Sequence, residues 1–80
     1  MKIGVKILPK NEVLDSQGRA VEGTLKNHGK PVNQCRVGKY VQLDILENDE
    51  AKALSKAKEI AEFVLYNPLI ETYELEVVRK

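Results

Sequence analysis

One cysteine, one histidine, one phenylalanine and no tryptophan leave this chain of 80 residues poor in the groups that most chemistry needs. A lone cysteine cannot close an intrachain disulfide, and one histidine beside it falls short of a four-ligand zinc site. No run approaches the ~18 apolar residues of a membrane-spanning helix. The opening Met1-Lys2-Ile3-Gly4-Val5-Lys6-Ile7 alternates with charge, unlike the apolar core of an export signal. Together with an unpaired thiol, this points to the reducing cytoplasm. Neither the dinucleotide-fold glycine pattern nor a P-loop signature occurs. The few aromatics lack the strand arrangement that stacks nucleic-acid bases.

What is present suits one small domain, spanning residues 1–80. A chain of this size buries only about 60–65% of its unfolded surface, so its core is marginal and self-association is a natural remedy. Net charge is +1, but residues 1–40 carry eight Lys/Arg against three Asp/Glu, and residues 41–80 carry five against nine. Such halves suit pairing with another protein, unless the fold interleaves them and erases the asymmetry. A nucleic-acid binder would concentrate its basic charge.

Ile3, Val5 and Ile7 alternate as one face of a first strand that Pro9 ends. Asp15 is placed as an N-cap, and a helix runs from Ser16 to about His28 with Val21, Leu25 and His28 along one stripe. Gly29 and Pro31 close it. Asn48 or Asp49 caps a second helix that runs to about Leu65, with Leu54, Ala57, Ala61, Val64 and Leu65 as its apolar stripe. Lys52, Lys56 and Lys58 fall on its solvated side, and Asn67-Pro68 ends it. Tyr73, Leu75 and Val77 alternate with Glu74 and Glu76 in a last, half-buried strand.

The segment from Val32 to Leu46 reads as strand, with Cys35, Val37, Val41, Leu43 and Ile45 on one face. A two-residue turn at Gly38-Lys39 would oppose Val37 to Tyr40 and mix the apolar and polar sets. A three-residue loop at Gly38-Lys39-Tyr40 and an unbroken strand bent at Gly38 both preserve the parity. The unbroken strand would reach roughly 50 Å and leave an apolar face for another subunit to cover. The expected fold is α+β: a two-layer sandwich of a sheet containing antiparallel strands, with two helices on one face and a sheet-mediated dimer.

Few residues invite a chemical role. Cys35 falls on the expected inward face of a strand and reads as a buried structural residue rather than a nucleophile. His28, near a helix C-terminus, complements the helix dipole or packs. Gly18 allows close packing against the sheet, or leaves room for a neighbouring chain or an anion. Glu71, Glu74 and Glu76 read as a solvated edge. Gly38, Lys39 and Tyr40 form the most distinctive local cluster, either a partner contact or a loop where polarity is free.

Three blocks carry a resemblance: Val13-Leu14-Asp15-Ser16-Gln17-Gly18-Arg19-Ala20-Val21, the run Cys35 to Ile45, and Asn67-Pro68-Leu69-Ile70-Glu71-Thr72-Tyr73. In order and spacing they resemble the small (PurS-type) subunit of phosphoribosylformylglycinamidine synthase, a purine-biosynthesis ligase of three kinds of chain. The family usually has proline where Ser16 stands. The resemblance implies a non-catalytic assembly subunit. A glutaminase chain would supply the nucleophilic cysteine, and a synthetase chain would bind ATP, magnesium and the ribonucleotide. No cofactor or metal site is then expected in this chain, and a homodimer or tetramer is. It makes Asp15, Gly18, Asn67, Pro68 and Tyr73 motif residues of structural character. The alternative is a small-molecule-sensing α+β module that dimerises through its sheet.

Overall fold

The structure, a computed structural model, describes residues 1–30 and 32–79. Pro31, expected to keep the first helix from resuming, lies outside the described residues. Strand β1 (Lys2–Pro9) is followed by helix α1 (Ser16–Asn27), strand β2 (Lys39–Asp44), helix α2 (Glu50–Ile60) and strand β3 (Glu71–Val77). The sheet order is β2-β1-β3, with β1 antiparallel to both neighbours. This is the expected α+β class.

The core lies between the sheet and α2. Ile3, Val5 and Ile7 are fully buried on one face of β1, and Ala53, Ala57 and Ala61 meet them at helical spacing. Alanines at those positions bring the helix backbone close to the sheet, while Leu54, Ile60 and Leu75 seal the rim. Each isoleucine or valine so buried contributes about 1.5–3 kcal/mol. Asp49 is the N-cap, accepting from the Ala51 and Lys52 amides. The helix then widens into a π-helical turn over Ala61–Leu65. That turn overturns one expectation: Val64 leaves the apolar stripe and is 64% exposed, with Phe63 at 85%. The extra residue per turn rotates both outward.

Helix α1 ends as its glycine foretold. Gly29 has φ of 70°, its amide donates to the Lys26 carbonyl, and Lys30 donates to Leu25 at 2.8 Å. This is the Schellman arrangement. The stripe of Val21, Leu25 and His28 finds no core, however, since Gly18 is the sole buried residue of α1. The helix stands off the sheet, and only α2 covers the sheet face. The described chain is consequently flat, 47 × 31 × 14 Å, with a radius of gyration of 15.5 Å. A compact domain of this length would have about 12 Å.

The long middle strand is a second correction. Only Lys39–Asp44 pairs with β1, and residues 32–38 are irregular. The register Ile7↔Lys39 would continue to Pro9 opposite Val37. Proline has no amide hydrogen for the ladder, and the Val37 amide goes instead to the Asp15 carboxylate. Neither the bent strand nor the three-residue hairpin forms, because Gly38-Lys39-Tyr40 is the entry to β2 rather than a turn within it.

Candidate partner interface

Asp15 shapes the region around α1 by holding two segments at once. Its Oδ1 accepts the Gly18 amide at 2.8 Å, capping the helix, and its Oδ2 accepts the Val37 amide at 2.9 Å. These two amides, Gly18 first, hold the Asp15 carboxyl below its ordinary pKa. Two turns along the same helix face, Glu22 Oε1 accepts the Cys35 amide at 3.1 Å. Arg36 donates to the Pro9 carbonyl. Gly18 is required because a Cβ there would lie 2.4 Å from the Cys35 carbonyl oxygen and from Asp15 Oδ2. Its close approach is therefore to the 35–37 segment and not, as expected, to the sheet. Cys35 is half-buried in that segment and does not sit on the inward face of a strand. The sequence pattern does not single out Glu22, although its spacing of seven from Asp15 places both carboxylates on one helix face.

The cluster Gly38, Lys39 and Tyr40 divides between surfaces. A Cβ on Gly38 would fall 2.0 Å from the Ile7 carbonyl oxygen, so the glycine permits backbone to lie on backbone. Tyr40 lies across Gly4 on the open sheet face, and its hydroxyl donates to Glu76 at 2.9 Å. Lys6 pairs with the same carboxylate at 3.1 Å. Lys39 opposes Ile7 and therefore points to the other side of the sheet. There it meets a groove of about 460 Å3 lined by Val13, Leu14, Val37 and Ile70, with Glu71 at the rim. Leu14 is 65% exposed in it, and exposed Leu69 lies beside Ile70 in the chain.

The third block forms the turn into β3. Asn67 Oδ1 accepts the Leu69 amide at 3.0 Å, and the Asn67 carbonyl accepts Ile70 and Glu71. Pro68 occupies the turn between them. Tyr73 donates to Glu62 at 2.8 Å and packs on Tyr66, with ring centroids 4.7 Å apart. Burial first, then the Glu62 hydrogen bond, pushes the Tyr73 phenol up to about 12 from an ordinary 10.0. The fold thus favours the protonated phenol. Its contribution is complete below pH 10 and is lost as pH rises through about 12. Thermal melts across this window should show Tyr73→Phe declining less steeply than the parent. Identical slopes would remove Tyr73 from the account.

Among the described residues, His28 and Cys35 are held in separate backbone contacts. His28 caps α1, its Nδ1 donating to the Thr24 carbonyl at 2.9 Å, while the Cys35 backbone is held by Glu22. Among the described residues, no group of three or more His, Cys, Asp and Glu is placed to hold a metal ion. Nor, among them, is any helix long and apolar enough to cross a membrane. An open sheet face, an amphipathic helix held off the sheet and an apolar groove make this a small α+β chain with surface to offer a partner.

The chain belongs to the PurS family, described as phosphoribosylformylglycinamidine (FGAM) synthase, whose family model matches residues 2–79. It is 38% identical over 77 residues to the Bacillus subtilis FGAM synthase subunit PurS, covering 95% of this chain and 90% of that one. Among solved structures, the PurS subunit from Thermotoga maritima superposes with a TM-score of 0.87 at 30% identity, over 94% and 87% of the two chains. A chain in the structure of PurLQS from Thermotoga maritima gives 0.84 at 29% identity, over 94% and 93%. FGAM synthase is a glutamine-dependent, ATP-consuming ligase of purine biosynthesis, and the sensing-module alternative is set aside.

Proposed function

We propose that this chain is the assembly subunit that joins the synthetase and glutaminase subunits of FGAM synthase in the cytoplasm. The observation that carries this is its likeness, along nearly its full length, to a chain of the PurLQS structure. The glutaminase subunit releases ammonia from glutamine, and the synthetase subunit binds ATP and magnesium and activates the amide oxygen of the ribonucleotide. This chain makes and breaks no bond. It holds the two sites in register so that ammonia reaches the activated amide without escaping, a contribution of proximity.

The subunit acts as a dimer or a tetramer. A sheet with an edge on either side, and exposed Leu14, Phe63, Val64, Leu69 and Ile70, leave surface that association would cover. Opposite charges interleave on the open sheet face, where Lys6 pairs with Glu76, which suits a protein partner better than a nucleic acid. The groove with Lys39 at its rim is the surface that meets one of the two larger subunits.

Lys39→Glu tests that assignment. Lys39 is exposed and forms no ion pair among the described residues, so its reversal should change the stability of the isolated chain by less than about 0.5 kcal/mol. Against a complementary patch the same change costs several kcal/mol. Glutamine-dependent turnover by the three-subunit mixture should fall while ammonia-dependent turnover persists. Wild-type values for both activities would show that Lys39 faces only water.

A further inference from the structure

A second cavity, of about 250 Å3, opens on the other side of the Asp15–Val37 contact, between the end of β1, helix α1 and residues 34–36. Its walls carry an excess of hydrogen-bond donors. Lys10 and Asn11 enter from the end of β1, Arg19 from α1, and Gln34 and Arg36 from the irregular segment. Two carboxylates, Asp15 and Glu22, also border it. Both are already engaged: Asp15 takes the Gly18 and Val37 amides, and Glu22 takes the Cys35 amide and Lys26. Arg36 gives one amino group to the Pro9 carbonyl and keeps the rest of its guanidinium. Lys10 and Arg19 form no ion pair among the described residues.

Three cations and two amide side chains line this space beside the two carboxylates, leaving it a net positive charge, and both carboxylates already hold backbone amides of the 35–37 segment. The geometry points to a binding site for a phosphate group, either free or carried by a small metabolite. Guanidinium and ammonium donors carried by separate segments of the chain suit the several acceptor oxygens of a dianion. The volume lies below the roughly 300–1,000 Å3 typical of pockets for drug-sized ligands. It therefore suits the phosphate end of a small molecule. A bound anion would bridge α1 and the 34–36 segment, tightening the same union that Asp15 and Glu22 make. The site adjoins the Lys39 groove, sharing Pro9, Val13 and Asp15 with it, but none of its three cations lines that groove, and the proposal does not depend on the assembly role.

The test is a titration of the isotopically labelled full chain, followed by amide chemical shifts at matched ionic strength. Inorganic phosphate and ribose 5-phosphate are the probes, with chloride as the control. Saturable shifts at Lys10, Arg19, Gln34 and Arg36 are expected for both probes and not for chloride. Tighter binding of the sugar phosphate, with added shifts at Asn11, would assign the site to a phosphorylated metabolite; equal binding would assign it to free phosphate. Arg19→Ala and Lys10→Ala should each weaken binding by at least about tenfold. Both variants should keep the parent melting temperature. Shifts that chloride reproduces, that fail to saturate, or that survive both substitutions would overturn the proposal.

Discussion

Gly18→Ala is expected to detach helix α1 from the segment that follows it. The added methyl would stand 2.4 Å from the Cys35 carbonyl oxygen and from Asp15 Oδ2, the oxygen that holds the Val37 amide. Overpacking of this kind costs about 1–3 kcal/mol, and each kcal/mol lowers the melting temperature of a domain this size by roughly 4–8 °C. Gly23→Ala, in the middle of the same helix with nothing within 4 Å, is the matched control. It should be neutral or gain up to about 1 kcal/mol, since alanine is the better helix former. Hydrogen exchange adds a local reading. The Val37 and Cys35 amides should lose protection in Gly18→Ala and keep it in Gly23→Ala. Equal melting temperatures and equal protection in the two variants would show that the carboxylate contacts do not hold the segment.

The second large effect lies in the core. Ile3 is fully buried between the sheet and α2, against Ile45, Ala53 and Ala57. Ile3→Ala should cost about 2–5 kcal/mol, the lost transfer free energy plus the cavity left behind. An 80-residue chain has in total only about 4–12 kcal/mol of stability at the usual ~0.05–0.15 kcal/mol per residue. The substitution therefore removes a large share of it. Urea titration should show a lower midpoint with an unchanged slope. A midpoint equal to the parent's would mean that the sheet face of β1 is not the core.

Local pattern was enough to read the elements that rest on local causes. Asp15 and Asp49 start the two helices, Gly29 stops the first, and the alternations in β1 and β3 appear at the expected residues. What the pattern hid depends on distant partners. Cys35 and Val37 alternate with polar residues as a strand would, yet their amides are taken by carboxylates 13 and 22 residues away. Pro9 withholds the donor that might have competed for the place opposite Val37. The single wide turn after Ile60 was likewise unreadable, because nothing in Ala61–Leu65 distinguishes a π-helical turn from an α-helical one. An α-helical period therefore puts Val64 on the apolar stripe, whereas the wide turn exposes it. Gly38-Lys39-Tyr40 looked like one site because the three are adjacent. Strand geometry sends Lys39 and Tyr40 to opposite faces, where one borders the groove and the other covers Gly4. The role of Gly18 as a close-approach residue was legible; the surface it approaches was not.

The proposal that the chain assembles an enzyme without taking part in its chemistry is tested most directly by reconstitution. The purified chain, the synthetase and the glutaminase are mixed with glutamine, ATP, magnesium and formylglycinamide ribonucleotide, then analysed by size-exclusion chromatography and for amidine formation. Co-elution of all three is expected, with glutamine-dependent turnover appearing only in the complete mixture and with no glutaminase or ATPase activity in the small chain alone. Cys35→Ser, the one substitution that removes its only thiol, should leave that turnover intact. Full glutamine-dependent turnover without the small chain, or near-complete loss of it in a correctly folded Cys35→Ser complex, would contradict the account.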